Sequence, residues 1–242
     1  MATKRDKNFK YDAVIIGGLG HVGLPLGLVF ANKGLRVCLH DKNIKNAELV
    51  QNGVMPFIEY GADPILKKLI KKKDALTVSS DIRDVSLAKY VVIAIGTPVD
   101  EYLNPNVRVF LEYFKTLKKY LRKNQTIIIR STIYPRTCQQ IMKVLGKNVL
   151  LAYCPERIAQ GYAIKELKEL PQLVAGVTQK AQNSAIKLFS LIAPKIIKVS
   201  MEEAELVKLF TNAWRYIQFS ITNQFYMIAN DFNLDFNRIR QV

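Results

Sequence analysis

A strand that runs straight into closely spaced glycines constrains this chain more than any other feature. Tyr11-Asp12-Ala13-Val14-Ile15-Ile16 leads into Gly17-Gly18-Leu19-Gly20-His21-Val22-Gly23. Gly18, Gly20 and Gly23 fit the G-x-G-x-x-G spacing of a dinucleotide loop. The flanks fit as well. Residues 13–16 are continuously apolar, as a strand buried on both faces requires, and 24–32 read as a helix. Gly18 is expected to permit the tight turn, Gly20 to admit a pyrophosphate, and Gly23 to let the helix pack close to the strand. The helix N-terminus adds free N–H groups and partial positive charge. A second strand, 36–40, ends on Asp41, about 20 residues past the glycines, where a carboxylate would hold a ribose 2′-OH. It would repel a 2′-phosphate, so NAD is expected over NADP. Lys42 pulls slightly the other way.

The rest of the chain alternates between strand and helix. Strands are expected at 13–16, 36–40, 76–78, 90–95, 126–130, 149–153, 173–177 and 196–199, with helices at 108–122, 137–145 and 180–191 among others. The alternation predicts an α/β fold, a Rossmann-like doubly wound parallel sheet. Residues 55–61 read as a loop. Ser200-Met201-Glu202-Glu203 is a capping box, and no glycine or proline interrupts 201–230, which predicts a long helix after the sheet. Val207, Phe210, Trp214, Ile217, Ile221, Phe225 and Ile228 recur three or four apart, so one face of that helix is expected to be core or interface. Asn233 is a candidate cap for a further helix.

Composition narrows the class. No apolar stretch reaches membrane-span length, because lysines and arginines interrupt each one; no membrane partner is expected. Residues 1–10 are polar and basic, with no secretory apolar core, and read as a tail. Cys38, Cys138 and Cys154 are scattered and form no C-x-x-C pair, which fits a reducing cytoplasm. His21 and His40 leave little for a zinc site. The net charge of +16 concentrates in Lys67, Lys68, Lys71, Lys72 and Lys73, and in Lys115, Lys118, Lys119, Arg122 and Lys123. Both runs carry interleaved apolar residues and read as solvated faces of crossover helices. A nucleic-acid partner is not expected, although it would follow from charge alone and would show as salt-sensitive affinity.

Ligands of open α/β sheets bind beyond the carboxyl ends of the strands. Those ends carry Gly96-Thr97-Pro98-Val99-Asp100, Ser131-Thr132-Ile133-Tyr134-Pro135 and Cys154-Pro155-Glu156-Arg157, which together suggest a polar cleft beside the glycine loop. On the long helix, Lys208, Asn212 and Arg215 share a face away from the apolar one. On spacing alone that face reads more readily as an ordinary solvated one.

These pieces resemble the UDP-sugar 6-dehydrogenases, the UDP-glucose and UDP-N-acetylmannosamine dehydrogenase family, over almost the whole chain. The resemblance is carried by 18–26, 96–100, 131–135, Pro155-Glu156-Arg157-Ile158-Ala159-Gln160-Gly161 and Lys208-Leu209-Phe210-Thr211-Asn212-Ala213-Trp214. Glu-Arg after the proline is more similar to the branch that oxidises UDP-N-acetylhexosamines. The resemblance implies a two-step oxidation. A C6 alcohol gives a hydride to NAD, a cysteine traps the aldehyde, a second NAD takes another hydride, and water releases the uronic acid for surface polysaccharide synthesis. By position, Glu156 would serve base chemistry and hydrolysis, and Thr132 would help hold water. Lys208 would stabilise oxyanions, and Asn212 would orient water and substrate. Arg157, Lys208 and Asn212 would meet the UDP-sugar. Gly18, Gly20, His21, Val22, Gly23, Asp41, Thr97 and Thr132 would line the NAD site. The long helix would join two halves of a subunit and form a homodimer interface.

Two departures stand out. Arg136 follows Tyr-Pro where the family usually has glycine. The family's catalytic cysteine lies in a later glycine-rich segment, which this sequence does not contain, and Cys154 does not match that motif. The expectation is therefore a basic tail over 1–10, an NAD-binding domain over 11–199, and at 200–242 a central helix opening a truncated middle region. The UDP-sugar-binding domain would be absent and the chain inactive alone. The competing reading is a non-catalytic NAD-binding or interaction module left by truncation.

Overall fold

All eight apolar runs form strands: β1 Tyr11–Ile16, β2 Val37–His40, β3 Leu76–Ser79, β4 Ala88–Ile93, β5 Thr126–Ile129, β6 Leu150–Tyr153, β7 Gln172–Gly176 and β8 Ile196–Lys198. The computed structural model describes residues 8–97, 100–102, 106–146 and 148–241; most of the expected basic tail, and Pro98 and Val99 of the second strand-end motif, lie outside them. The strands make one sheet in the order β3-β2-β1-β4-β5-β6-β7-β8. Pairing is parallel from β3 through β6.

The sheet then turns mixed, where an all-parallel one was expected. β7 runs antiparallel to β6, with Tyr153 opposite Ala175, and β8 follows β7 in parallel. The physical reason lies in segment 154–171, which stays at the rim where β6 ends. The Gln172 side-chain Nε2 there donates to Pro155 O at 3.4 Å, so β7 starts beside the end of β6 and must run back.

The helices are α1 Gly23–Asn32, α2 Ile44–Gln51, α3 Ala62–Ile70, α4 Val107–Lys118, α5 Thr137–Leu145, α6 Ala163–Glu169, α7 Gln179–Phe189, α8 Met201–Asp231 and α9 Phe236–Gln241, with a 3-10 turn over Ile82–Leu87. Strand side chains alternate between two cores. Ala13, Ile15, Val92 and Ile128 pack with α1, α3, α6 and α7. Val14, Ile16, Val91, Ile93, Ile127 and Ile129 pack with α4 and α5. This double layer is what the near-continuous apolar strands require. Segment 55–61 is a loop, as expected.

Two helix boundaries differ from the sequence reading. α4 stops at Lys118 rather than 122, because the chain tightens into i→i+3 bonds, Tyr120 N–H to Leu117 O at 2.9 Å and Leu121 N–H to Lys118 O at 3.3 Å. Asn233 does not cap α9. It sits in a left-handed turn at φ 54°, and Asp235 accepts instead from the Asn237 and Arg238 amides at 2.8 and 3.4 Å.

α8 opens with the expected capping box on Ser200 and Glu203. Its 31 residues give a rod of about 46 Å at ~1.5 Å per residue. Ala204, Glu205, Lys208 and Ala229 are its buried residues. The apolar face is not core: Phe210 is 66% exposed, Trp214 62% and Phe225 59%. The helix meets the sheet at β6 and β7, with Ala204 near its start joining the core.

Candidate active site

The glycine loop joins β1 to α1 at the carboxyl ends of the parallel strands. The tight turn falls on Gly17, at φ 77°, rather than on Gly18. Gly18 is needed for a different reason. A Cβ there would stand 2.7 Å from Ile15 O and 2.8 Å from Leu39 Cα, so the missing side chain lets β2 approach. At Gly23 a Cβ would stand 2.2 Å from Gly17 O, so the loop closes only over glycine. Gly20 is the open one, where an added Cβ meets nothing nearer than Gly17 O at 3.6 Å.

α1 starts with no side-chain cap and no acidic residue in its first turn. Leu24 N–H is taken by Gly20 O at 3.0 Å and Pro25 has no N–H, so the amides of His21, Val22 and Gly23 are the ones left for an anion at this helix start. Asp41, one residue past β2, is locked beside this loop. Its carboxylate accepts the Leu19 amide at 3.0 Å and the Asn43 amide at 3.1 Å. It opens on a neighbouring hollow of about 490 Å³ with Lys42, Asn43 and Val78. Together the open glycine, uncapped helix and fixed carboxylate fit an NAD pyrophosphate and adenosine ribose.

The adjoining cleft of about 390 Å³ runs from Gly20, His21 and Val22, over Thr97 and Thr132, to Glu156, Lys208 and Arg215. Its floor is tied strand to strand. Thr97 Oγ1 donates to Thr132 O, and Ser131 Oγ donates to Ile95 O at 2.6 Å. At its lip His21 stacks on Phe57 with ring centroids 4.0 Å apart.

Glu156 is buried, and both carboxylate oxygens are engaged. Oε1 accepts the Arg157 and Ile158 amides at 2.6 and 2.8 Å. Oε2 pairs with Arg130, a fully buried arginine that directly follows β5. Arg130 also donates to Gln172 Oε1 at 2.9 Å and Cys154 O at 3.3 Å, and its guanidinium lies 5.1 Å over the Phe189 ring. Burial lowers its pKa to about 10.

Lys208, two turns into α8, enters the same cleft and is 9% exposed. Burial, then the charges of Arg215, Arg130 and Arg157, push its pKa down from 10.5 to about 8. Arg215, two turns further on, donates to Arg157 O at 3.0 Å and Ile158 O at 3.3 Å. It thereby fastens the Glu156 loop to α8. Arg130, Arg215 and Lys208 around one already-paired carboxylate suit an anionic ligand.

The cleft thus gathers Gly20, His21, Val22, Thr97, Thr132, Glu156 and Lys208. Gly18 and Gly23 shape the loop from behind, and Asp41 faces the next hollow. Arg157 turns away and donates to Pro171 O. Asn212, one turn beyond Lys208, is exposed and does not line the cleft. Sequence reasoning missed Arg130, although it directly precedes Ser131-Thr132. It also missed Glu205, whose buried carboxylate on α8 accepts the Arg136 and Cys138 amides at 2.7 and 3.0 Å and so caps α5. Arg136 itself takes φ 68°, the left-handed conformation in which glycine carries no Cβ penalty. The three cysteines are buried. Burial raises the thiol pKa of Cys38 and of Cys154 to about 12 and that of Cys138 well above its ordinary value. None of the three lines the cleft.

The model of the UDP-glucose/GDP-mannose dehydrogenase family, NAD binding domain, matches residues 12–192. The UDP-N-acetyl-D-mannosamine dehydrogenase of Methanococcus maripaludis is 28% identical over 233 residues, covering 94% of this chain and 54% of that protein. The enzyme of the same name from Campylobacter jejuni is 26% identical, over 94% of this chain and 59% of that one. The solved UDP-D-ManNAc dehydrogenase from Pyrococcus horikoshii superposes with a TM-score of 0.80 at 25% identity, over 94% of this chain and 56% of that chain. The chain spans about half the length of the curated relatives it matches.

Proposed function

The chain belongs to the UDP-glucose/GDP-mannose dehydrogenase family, and from that premise we propose that it forms the cofactor and acid–base half of an NAD-dependent UDP-sugar 6-dehydrogenase. The observation that carries this reading is convergence: the open Gly20 loop and the buried Glu156–Arg130–Lys208 cluster share one cleft. NAD bound at the loop supplies the hydride acceptor. Lys208 holds the sugar's C6 oxygen as its proton leaves. Glu156, an acceptor held in place by Arg130 and two amides, receives that proton through water. Thr132 positions the water. Arg130, Arg215 and Lys208 favour a dianionic nucleotide-sugar over a neutral alcohol. Asn212, outside the cleft, meets the bound substrate from the α8 side. UDP-N-acetylmannosamine or UDP-N-acetylglucosamine is the substrate of choice over UDP-glucose, and the uronic acid feeds surface polysaccharide synthesis.

The covalent trap needs a reactive thiolate, and no cysteine of this chain offers one. The thiol therefore comes from another segment or subunit. We read 11–199 as the NAD-binding unit and 200–242 as the start of a middle region whose exposed apolar α8 face pairs with a second copy. The setting is a reducing cytoplasm.

The test is turnover. The chain is incubated with NAD and each UDP-sugar, and uronic acid is measured by chromatography. No uronic acid is expected from this chain alone. Stoichiometric conversion would overturn the division of labour. A non-catalytic NAD module would also make none, but there Lys208→Met would leave UDP-sugar binding unchanged, whereas our reading predicts weaker binding.

A further inference from the structure

Crossover helices of a parallel sheet run back against their strands, so their C-termini gather at the rim opposite the cleft. α3 ends there and is followed by Lys71, Lys72 and Lys73 before β3. α4 ends there and is followed by Lys119, Arg122 and Lys123 before β5. These two runs are far apart in sequence, and the topology sets them on one edge. β3 and β5 are four steps apart in the strand order, roughly 20 Å at ~4.8 Å per strand. All six side chains are exposed. Between the runs, Lys10 and Arg36 share a hollow of about 350 Å³ with Lys72 and Lys73. Few acids answer this charge. Asp12 is committed to Arg36 at 3.1 Å, Asp74 stands in the hollow, and Asp84 acts on Lys10.

We propose that this rim docks the chain on an anionic lipid surface. Three features select that partner. Helix C-termini bring carbonyls and the negative end of the dipole, so the rim offers no amide cradle for a discrete phosphate. The positive charge sits mostly on lysine, a point charge on a flexible stem without the fork that reads one bound group; a plane of headgroups suits it. The rings beside these basic residues are Tyr11, buried under Lys10, and Tyr120, half-buried between Lys119 and Arg122, which suits the exposed stacking platform of a single-strand nucleic-acid site poorly. The docked chain keeps its cleft open to solution, and the proposal stands apart from the NAD and UDP-sugar reading.

The experiment is co-sedimentation of the chain with vesicles of equal phosphatidylglycerol and phosphatidylcholine, and with phosphatidylcholine alone. Binding is expected on the anionic vesicles only, weakening as salt rises. Replacing Lys71, Lys72, Lys73, Lys119, Arg122 and Lys123 by glutamine should lower the partition coefficient about a hundred-fold. That figure counts half of the six as close to the surface, at roughly five-fold each. A control removes the same charge elsewhere, with glutamine at Lys45, Lys165, Lys168, Lys187, Lys195 and Lys198, and should bind within a few-fold of the unaltered chain. Thermal melts by circular dichroism check each fold, and the two three-residue variants give the reading if the six-residue one does not fold. Absence of anionic-vesicle binding would overturn the proposal. So would equal loss in both variants, or full displacement by single-stranded RNA at matched charge, which would make nucleic acid the partner.

Discussion

Lys208→Met should stabilise the chain at neutral pH while removing a residue the cleft needs. The lysine is 9% exposed, and its pKa falls from 10.5 to about 8 through burial first and the three neighbouring arginines second. At ~1.4 kcal/mol per pH unit that drop corresponds to about 3 kcal/mol of folding free energy spent on keeping the charge there. Glu156 does not cancel it, since Arg130 and two amides hold its carboxylate. The direction with pH follows. Below pH 8 the ammonium is present in both folded and unfolded chains and the cost is full. Between about 8 and 10.5 the unfolded chain keeps a proton that the folded chain releases, so stability rises with pH; above that window the cost is gone. Methionine fills similar length without charge. Urea denaturation should show the variant about 2–3 kcal/mol more stable at pH 7, with unchanged m-value, and the gap should close toward pH 10.5. A variant less stable at pH 7, or a gap indifferent to pH, would refute the reasoning.

Glu205→Ala leaves the part-buried Arg136 amide and the buried Cys138 amide at the start of α5 without their acceptor and should cost about 2–4 kcal/mol, from ~1–3 for the buried group plus smaller contributions from the part-buried one and the helix dipole; a melting temperature lower by about 5–10 °C would show it. Gly23→Ala drives a methyl to 2.2 Å from Gly17 O and should both destabilise the fold and abolish NAD binding, read by thermal melt and cofactor fluorescence. Gly20→Ala meets only ordinary contacts, so it should leave the melt within about 0.5 kcal/mol of the unaltered chain while weakening NAD binding.

Much of the architecture is legible because buried strands are written as apolar runs, and each run became a strand. Strand direction is not written that way. Leu173 to Ala175 is apolar from either end, so the reversal at β7 shows only once 154–171 is seen to stay at one rim. The cleft follows from rim logic, since Thr97, Thr132 and Glu156 each lie three or four residues past the end of a parallel strand. Arg130 escaped notice because it closes an apolar run, where a charge reads as the strand's exit into solvent. Its partner Glu156 comes from the next strand, and no local pattern links them. Glu205 was hidden in the acidic first turns of α8, where Glu202 and Glu203 suit a helix start; only tertiary packing singles it out as the cap of another helix. Spacing left Lys208 and Asn212 equivalent on one polar face, whereas the structure buries the first and exposes the second. The α8 stripe was read as core or interface; the structure leaves it exposed, and periodicity does not say what covers it.

The most direct test of the account is a calorimetric titration of this chain with NAD and NADP at physiological salt, with Asp41→Ala alongside. The account predicts saturable one-site binding of NAD, weaker binding of NADP because the Asp41 carboxylate meets the 2′-phosphate, and a variant that binds NAD less well and loses most of the preference. No saturable NAD binding, or an affinity and preference unchanged by Asp41→Ala, would contradict it.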